Sequence, residues 1–209
     1  TDDVLHRVVT EEAQAISEIE AALCQDPDDI AALIIEPIQG EGGDNHFRPE
    51  FFQALRRLAD EHDFMFIVDE VQTGMGRTGR WFGYQHYDVV PDMITMAKSL
   101  GGGFPIGVFW ARAPYADLLS AGSHGTTYGG SPLACAVALK ILDVIQREKL
   151  ADNARNVGQF LQAGLQTLAD RYPAVIKTVR GVGLMLGFEL APSLPKLPGD
   201  PAKTVAVRF

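Results

Sequence analysis

Three apolar runs in this chain each end on a side chain that can do chemistry: residues 30–35 run into Glu36, 64–68 into Asp69, and 92–97 into Lys98. The runs are short, rich in β-branched residues and without clean alternation, a pattern that predicts strands buried on both faces of a parallel sheet. Such sheets bind ligands at the carboxyl ends of their strands. The order of the runs therefore predicts a carboxylate and a lysine brought to one sheet edge from separate strands. Gly101, Gly102 and Gly103 follow the lysine almost at once, where glycine lets the backbone approach a bound group.

The rest of the chain fills in an α/β order. Thr10 is a candidate N-cap followed by Glu11 and Glu12, and Ala13, Ile16, Ile19 and Leu23 fall on one face. This predicts a helix that ends near Gln25, before Asp26, Pro27, Asp28 and Asp29. A Gly-rich loop at 40–43 precedes Pro49, which opens an amphipathic helix carrying Phe52, Leu55, Leu58 and Ala59. Strand, helix and strand in that order imply a right-handed crossover and a parallel pair. Residues 72–87 read as a long ordered loop, and 106–111 as a fourth strand. Ser131 and Pro132 open a helix with the apolar content of a buried one, and a further helix is expected from about 151 to 168. Residues 179–190 read as a Gly-interrupted strand and 192–201 as a surface loop. The fold expected is α/β, a mostly parallel sheet with flanking helices, divided near residue 147. Residues 1–146 form a large domain lacking its N-terminal part, and residues 147–209 begin a smaller α+β domain.

Composition narrows the function classes. A 46% hydrophobic and 22% charged chain of 209 residues argues for an ordered core rather than disorder. Its net charge of -9, with no Lys/Arg cluster, argues against nucleic acid and anionic membranes as partners. No run approaches the roughly 18 apolar residues of a membrane span. Cys24 and Cys135 cannot build a disulfide framework, so a reducing, cytoplasmic setting is expected, with both as small buried side chains. His6, His46, His62, His86 and His124 show no metal-ligand spacing, and no metal is expected. The chain opens on Thr1, and 204–209 stops inside what reads as an ordered element, so a piece of a larger protein is expected.

A lysine at a strand end among apolar and Gly residues is placed where burial would free its amine for Schiff-base formation. An aspartate at the neighbouring strand end is the partner a pyridinium nitrogen needs. Together they point to pyridoxal phosphate. Gln72 can donate to the ring oxygen, and residues 125–130, with Thr126 and Thr127 ahead of a helix, offer donors for a phosphate. Each feature alone has a plain structural reading: a surface lysine, a capping aspartate, a glutamine closing a turn, an ordinary Gly-rich connection. Two other motifs carry no weight. Gly74, Gly76 and Gly79 match a dinucleotide fingerprint in letters, yet Arg80, Trp81 and Phe82 follow where a helix is required. The run into Asp69 and Glu70 suits an ATPase, but no phosphate-cradling GxxxxGK[ST] exists in the chain.

Several long strings, in one order, resemble the class III aminotransferases, within them the acetylornithine and ornithine group. They are residues 36–42 (EPIQGEG), 68–79 (VDEVQTGMGRTG), 91–103 (PDMITMAKSLGGG), 126–134 (TTYGGSPLA) and 180–187 (RGVGLMLG). The resemblance implies the large domain of a fold type I pyridoxal-phosphate enzyme. It implies that Lys98 holds the cofactor as a Schiff base and shuttles protons, that Asp69 pairs with the ring nitrogen, that Val71 packs on the ring, and that Gln72 bonds the ring hydroxyl. Thr127 would bind the phosphate of a neighbouring subunit in a homodimer, with Thr126 beside the substrate and Glu41 near its gate. The implied reaction is ping-pong transfer from an ω-amino donor such as acetylornithine or ornithine to a 2-oxo acid such as 2-oxoglutarate. The rival readings are an aminomutase or decarboxylase on the same scaffold, or a non-catalytic cofactor-binding or oligomerising fragment. The chain departs from the family in lacking the Gly/Thr phosphate loop, the ring-stacking aromatic and the carboxylate-binding arginine. Arg208 lacks the context for that last role. The chain alone is therefore expected to have little or no transaminase activity.

Overall fold

The computed structural model describes residues 2–191 except 26 and 28; the 192–201 loop, the 204–209 segment and Arg208 lie outside the described residues. Helix α1 (Asp2–Gln25) is followed by β1 (Ala32–Ile35), the two-residue strands β2 (Ile38–Gln39) and β3 (Asn45–His46), helix α2 (Pro49–His62) and β4 (Met65–Asp69). Next come β5 (Met93–Met96), β6 (Val108–Ala111), the short α3 (Ala113–Ala116), α4 (Pro132–Arg147), α5 (Leu150–Arg171), β7 (Ile176–Val182) and β8 (Met185–Leu190). The main sheet runs β1-β4-β5-β6, with the first three strands parallel and β6 antiparallel to β5. Parallel strands with flanking helices are the arrangement expected from the three apolar runs. β1, β4 and β5 thus deliver the ends that follow them, Glu36, Asp69 and Lys98, to one edge.

The main core lies between this sheet and helices α1 and α2. Pro49 occupies the first turn of α2, where its missing N–H costs nothing, and Phe51, Phe52, Leu55, Leu58 and Ala59 form the buried stripe. They meet Phe66 and Val68 of β4 and Leu23 of α1. The Phe52 ring, fully buried, stacks on Tyr87 at 4.1 Å, and the Tyr87 hydroxyl donates to the Pro37 carbonyl at 2.7 Å. Burying one such ring stabilises the fold by about 2–3 kcal/mol. The contact also ties the far end of the 72–87 loop to the residues just after β1.

Where the fold departs from expectation, the cause is tertiary. α1 begins eight residues before Thr10, whose hydroxyl bonds back to the His6 carbonyl at 2.8 Å, so Thr10 caps nothing. Ala13 is exposed, and Ala15 packs toward the core in its place. The strands are not buried on both faces, because α1 and α2 cover only one. In β4, Phe66 and Val68 are buried while Met65 and Ile67 are half-buried, and in edge strand β1 Ile34 is 60% exposed. α4 buries a stripe of Ala134, Ala138 and Ile145 and leaves Leu133 and Leu139 in solvent. Its start is as predicted, with Ser131 Oγ accepting from Ala134 N. Cys24 is exposed and Cys135 half-buried.

The expected strand at 179–190 is two, an antiparallel hairpin in which Val182 pairs with Met185. Gly183, at φ 60°, reverses the chain in the left-handed region where a side chain is strained. Its turn rests on the 77–79 segment: Leu184 N donates to Arg77 O at 2.9 Å, and a Cβ on Gly183 would lie 2.4 Å from the Thr78 carbonyl carbon. α5 packs on both strands of this hairpin.

A buried acid sets the register of the central strands at the end opposite the candidate site. Asp92, fully buried, accepts from Phe66 N and Arg56 Nη1, both at 2.8 Å, and Arg112 Nη2 stands 2.6 Å from its other oxygen. Asp92 N in turn donates to Phe66 O, and Arg112 N to Asp92 O. Three consecutive sheet elements are thereby pinned at one end, which fixes where their other ends fall.

Candidate active site

Asp69 closes β4 directly across from Thr95 of β5, three residues before Lys98. Its Oδ1 accepts from Val71 N at 3.0 Å, so the carboxylate is held at the strand end by the turn that follows. Lys98 opens a single 3-10 turn, Lys98–Leu100, immediately beyond β5. Its φ is 43°, a left-handed conformation uncommon in residues other than glycine and costing about 1–2 kcal/mol. Strain of that kind persists where the surroundings over-determine it, and it clusters at functional sites.

A cavity of about 290 Å³ at this edge is lined by Val71, Gln72, Arg77, Lys98 and Ser99, and closed on one side by Leu184 and Met185 of the β7–β8 turn. Of the residues singled out from the sequence, Lys98, Val71 and Gln72 therefore share one cavity, and Asp69 sits at the adjacent strand end. Glu41 lies apart from it, exposed in the 40–44 turn, although Gly40 beside it packs on the Gln72 amide. Thr126 and Thr127 stand in an exposed loop, where Thr126 Oγ1 accepts from Gly129 N at 3.3 Å. Lys98 is itself exposed, contrary to the buried amine expected from its apolar neighbours. The residues that follow it give it no cover, since 102–105 and 107–110 are themselves exposed. A larger cavity, about 830 Å³, lies elsewhere, between α1, the β2–β3 hairpin and the β7–β8 strands.

Two contributors carry no role in the sequence reading. Arg77 reaches Ser99 Oγ at 3.4 Å, linking the lysine's turn to the segment on which the β7–β8 turn rests. Glu70, 1% exposed, organises the 72–87 loop: Oε1 accepts from Tyr84 N at 2.8 Å, and Oε2 from Gly83 N at 2.8 Å and Thr73 Oγ1 at 2.5 Å. The available signal was an acid immediately after Asp69, on the opposite side of the strand end. Burial pushes the Glu70 carboxyl above the ordinary carboxylate range, and its three hydrogen bonds oppose that rise. A group raised in the folded state contributes stability that is present below its unfolded value and lost as pH rises through the folded one. The stability of the wild type relative to Glu70→Gln should therefore fall as pH is raised above the unfolded carboxyl value of about 4.3. Urea unfolding midpoints of the two proteins across that range measure it.

The donor set, a primary amine, a carboxylate, a side-chain amide and an apolar Val in and beside one crevice, fits an aromatic aldehyde with a basic ring nitrogen. Among the described residues there is no cluster of side chains able to hold a metal ion, and no helix long and apolar enough to cross a membrane. Residues 2–206 match the family model for aminotransferase class-III. The chain belongs to that family. It is 52% identical over 159 residues to an acetylornithine aminotransferase of Agrobacterium fabrum, covering 76% of this chain and 40% of that protein. It is 46% identical over 181 residues to a 4-aminobutyrate aminotransferase of Escherichia coli, covering 86% and 42%. An ornithine aminotransferase structure from Toxoplasma gondii, described with partial occupancy of pyridoxal phosphate at its active site, superposes with a TM-score of 0.77. That pair is 42% identical and covers 84% of this chain and 41% of that one. The chain thus spans about two fifths of the length of the relatives it matches.

Proposed function

We propose that the chain is the cofactor-binding segment of a pyridoxal-phosphate transaminase that moves an amino group from the end of an acetylornithine- or ornithine-like donor to a 2-oxo acid such as 2-oxoglutarate. The observation that carries this reading is Lys98, held at φ 43° at the end of β5 and lining one cavity with Val71 and Gln72 beside the Asp69 strand end. When bound, the cofactor supplies an electron sink that stabilises negative charge at the carbon bearing the amine. Lys98 provides the covalent anchor and then moves a proton at its Nζ. Asp69 would hold the ring nitrogen protonated, Gln72 would bond the ring hydroxyl, and Val71 would pack on the ring. Family membership supports the reaction class. The substrate class is supported by relatives named for acetylornithine, 4-aminobutyrate and 5-aminovalerate, molecules that can present a free amino group at the end of a carbon chain.

The exposed Thr126–Thr127 segment, with Tyr128 86% exposed beside it, suits a loop that meets a second subunit. In this reading Thr127 binds the neighbouring subunit's phosphate group, Thr126 lies beside the substrate, Glu41 stands near its gate, and the working unit is a cytoplasmic homodimer. The segment to residue 146 belongs to the large domain and the remainder to the small one. Initial rates of the full-length protein, measured against donor and 2-oxoglutarate together, test the reaction. Parallel double-reciprocal lines are expected for amino transfer in two half-reactions. Intersecting lines, or product formed without a 2-oxo acid, would contradict it.

A further inference from the structure

The 180–187 string touches the Lys98 cavity only through Leu184 and Met185, while Arg180, its first residue, lines the larger cavity. From β7 the guanidinium crosses to the 40–44 turn, where Nε donates to Asp44 O at 2.7 Å and Nη2 to Gly43 O at 3.0 Å. The same group faces two carboxylates, Asp44 Oδ2 at 3.5 Å and Glu189 Oε2 at 3.4 Å. Asp44 itself is in the left-handed region at φ 55°, and its carboxylate lies so close over Gly187 that a Cβ there would stand 2.3 Å from Oδ2. Arg180 and Gly187 are cross-strand partners, so the β7–β8 hairpin presents one surface built to receive this turn.

The other end of the turn presses on the candidate site. Gly43 N and Asp44 N both donate to Gly40 O, at 3.2 and 3.3 Å, which makes the turn a closed unit. At Gly40 an added Cβ would fall 2.6 Å from Gln72 Oε1 and 2.9 Å from Nε2, so the Gln72 amide rests directly on the turn backbone. A forked donor gripping two consecutive carbonyls fixes an orientation as well as a position, which a lysine cannot do.

We infer that Arg180 is a positioning residue that clamps the 40–44 turn and, through Gly40, sets the orientation of the Gln72 amide in the Lys98 cavity. The inference rests on the reading of Gln72 as a cofactor-binding residue only for its consequence; the clamp itself is independent of it. The first test uses hydrogen exchange in the cofactor-free full-length protein. In Arg180→Ala the Gly43 and Asp44 amides should exchange about tenfold faster, the loss of a charge-assisted hydrogen bond, with the Ala138 amide of α4 unchanged. Unchanged exchange at Gly43 and Asp44 would overturn the clamp. Arg180→Lys, which keeps the charge but grips a single carbonyl, carries the same test if the alanine variant does not fold.

The second test uses the protein loaded with pyridoxal phosphate. Arg180→Ala should move the cofactor's visible absorbance in the direction that Gln72→Ala moves it, and the double variant should move it no further. Additive shifts would overturn the coupling. Unaltered absorbance in Gln72→Ala would instead refute the role proposed for Gln72, and the exchange result would then decide the clamp alone.

Discussion

Replacing Lys98 by alanine should reduce turnover of the full-length protein by at least about a thousandfold, because one side chain is assigned both the covalent anchor and the proton transfer. Lys98→Arg should fail as completely, since a guanidinium keeps the charge but offers no free amine. A separate readout distinguishes a chemical role from a structural one. Lys98 holds φ 43°, where alanine is as strained as lysine but glycine is not. Lys98→Gly should therefore be inactive yet more stable than Lys98→Ala by about 1 kcal/mol, measured by thermal or urea unfolding. A position at which the stable residue is not the working one is where function overrides local preference.

The largest loss of stability is expected at Asp92. Its carboxylate, with no exposed surface, answers the charges of Arg56 and Arg112 and accepts the Phe66 amide. Asp92→Ala would leave Arg112 without its counter-charge; Arg56, 14% exposed, with only the exposed Asp60 to answer it; and an amide without its acceptor. Breaking a buried ionic cluster from one side costs about 3–5 kcal/mol. For a protein of this size that lowers the melting temperature by on the order of 10 °C. Asp92→Asn, which preserves shape and one acceptor, should fall between the wild type and the alanine variant. Because the same carboxylate sets β4 against β5, cofactor affinity should weaken in parallel with stability, a correlation that titration of the two variants with pyridoxal phosphate measures.

The parts of the fold that could be read from the chain are those specified by neighbours in sequence. Pro49 with its apolar stripe, Ser131 ahead of Pro132, and the runs leading to Asp69 and Lys98 all encode their structure within a few residues. What could not be read depends on partners far along the chain. Arg180 finds its carbonyls 136 and 137 residues away, and Asp92 its amide 26 residues away, so neither spacing leaves a local trace. The exposure of Ile34 follows from β1 lying at a sheet edge, a fact of strand order rather than of composition. Gly183 illustrates the middle case: a glycine inside an apolar run signals either a bulge or a reversal, and only the contact with Thr78 decides for reversal. At the site the sequence pointed to the amine, the acid and the amide, and missed the supports, Glu70, which holds the backbone of the 72–87 loop, and Arg77, which reaches Ser99.

Borohydride reduction of the full-length protein loaded with pyridoxal phosphate, followed by peptide mapping, addresses the assignment of Lys98 most directly. The cofactor's mass should be fixed on the peptide containing Lys98 and on no other, and should vanish from Lys98→Ala. A label on a different lysine, or an undiminished label in the variant, would contradict the account.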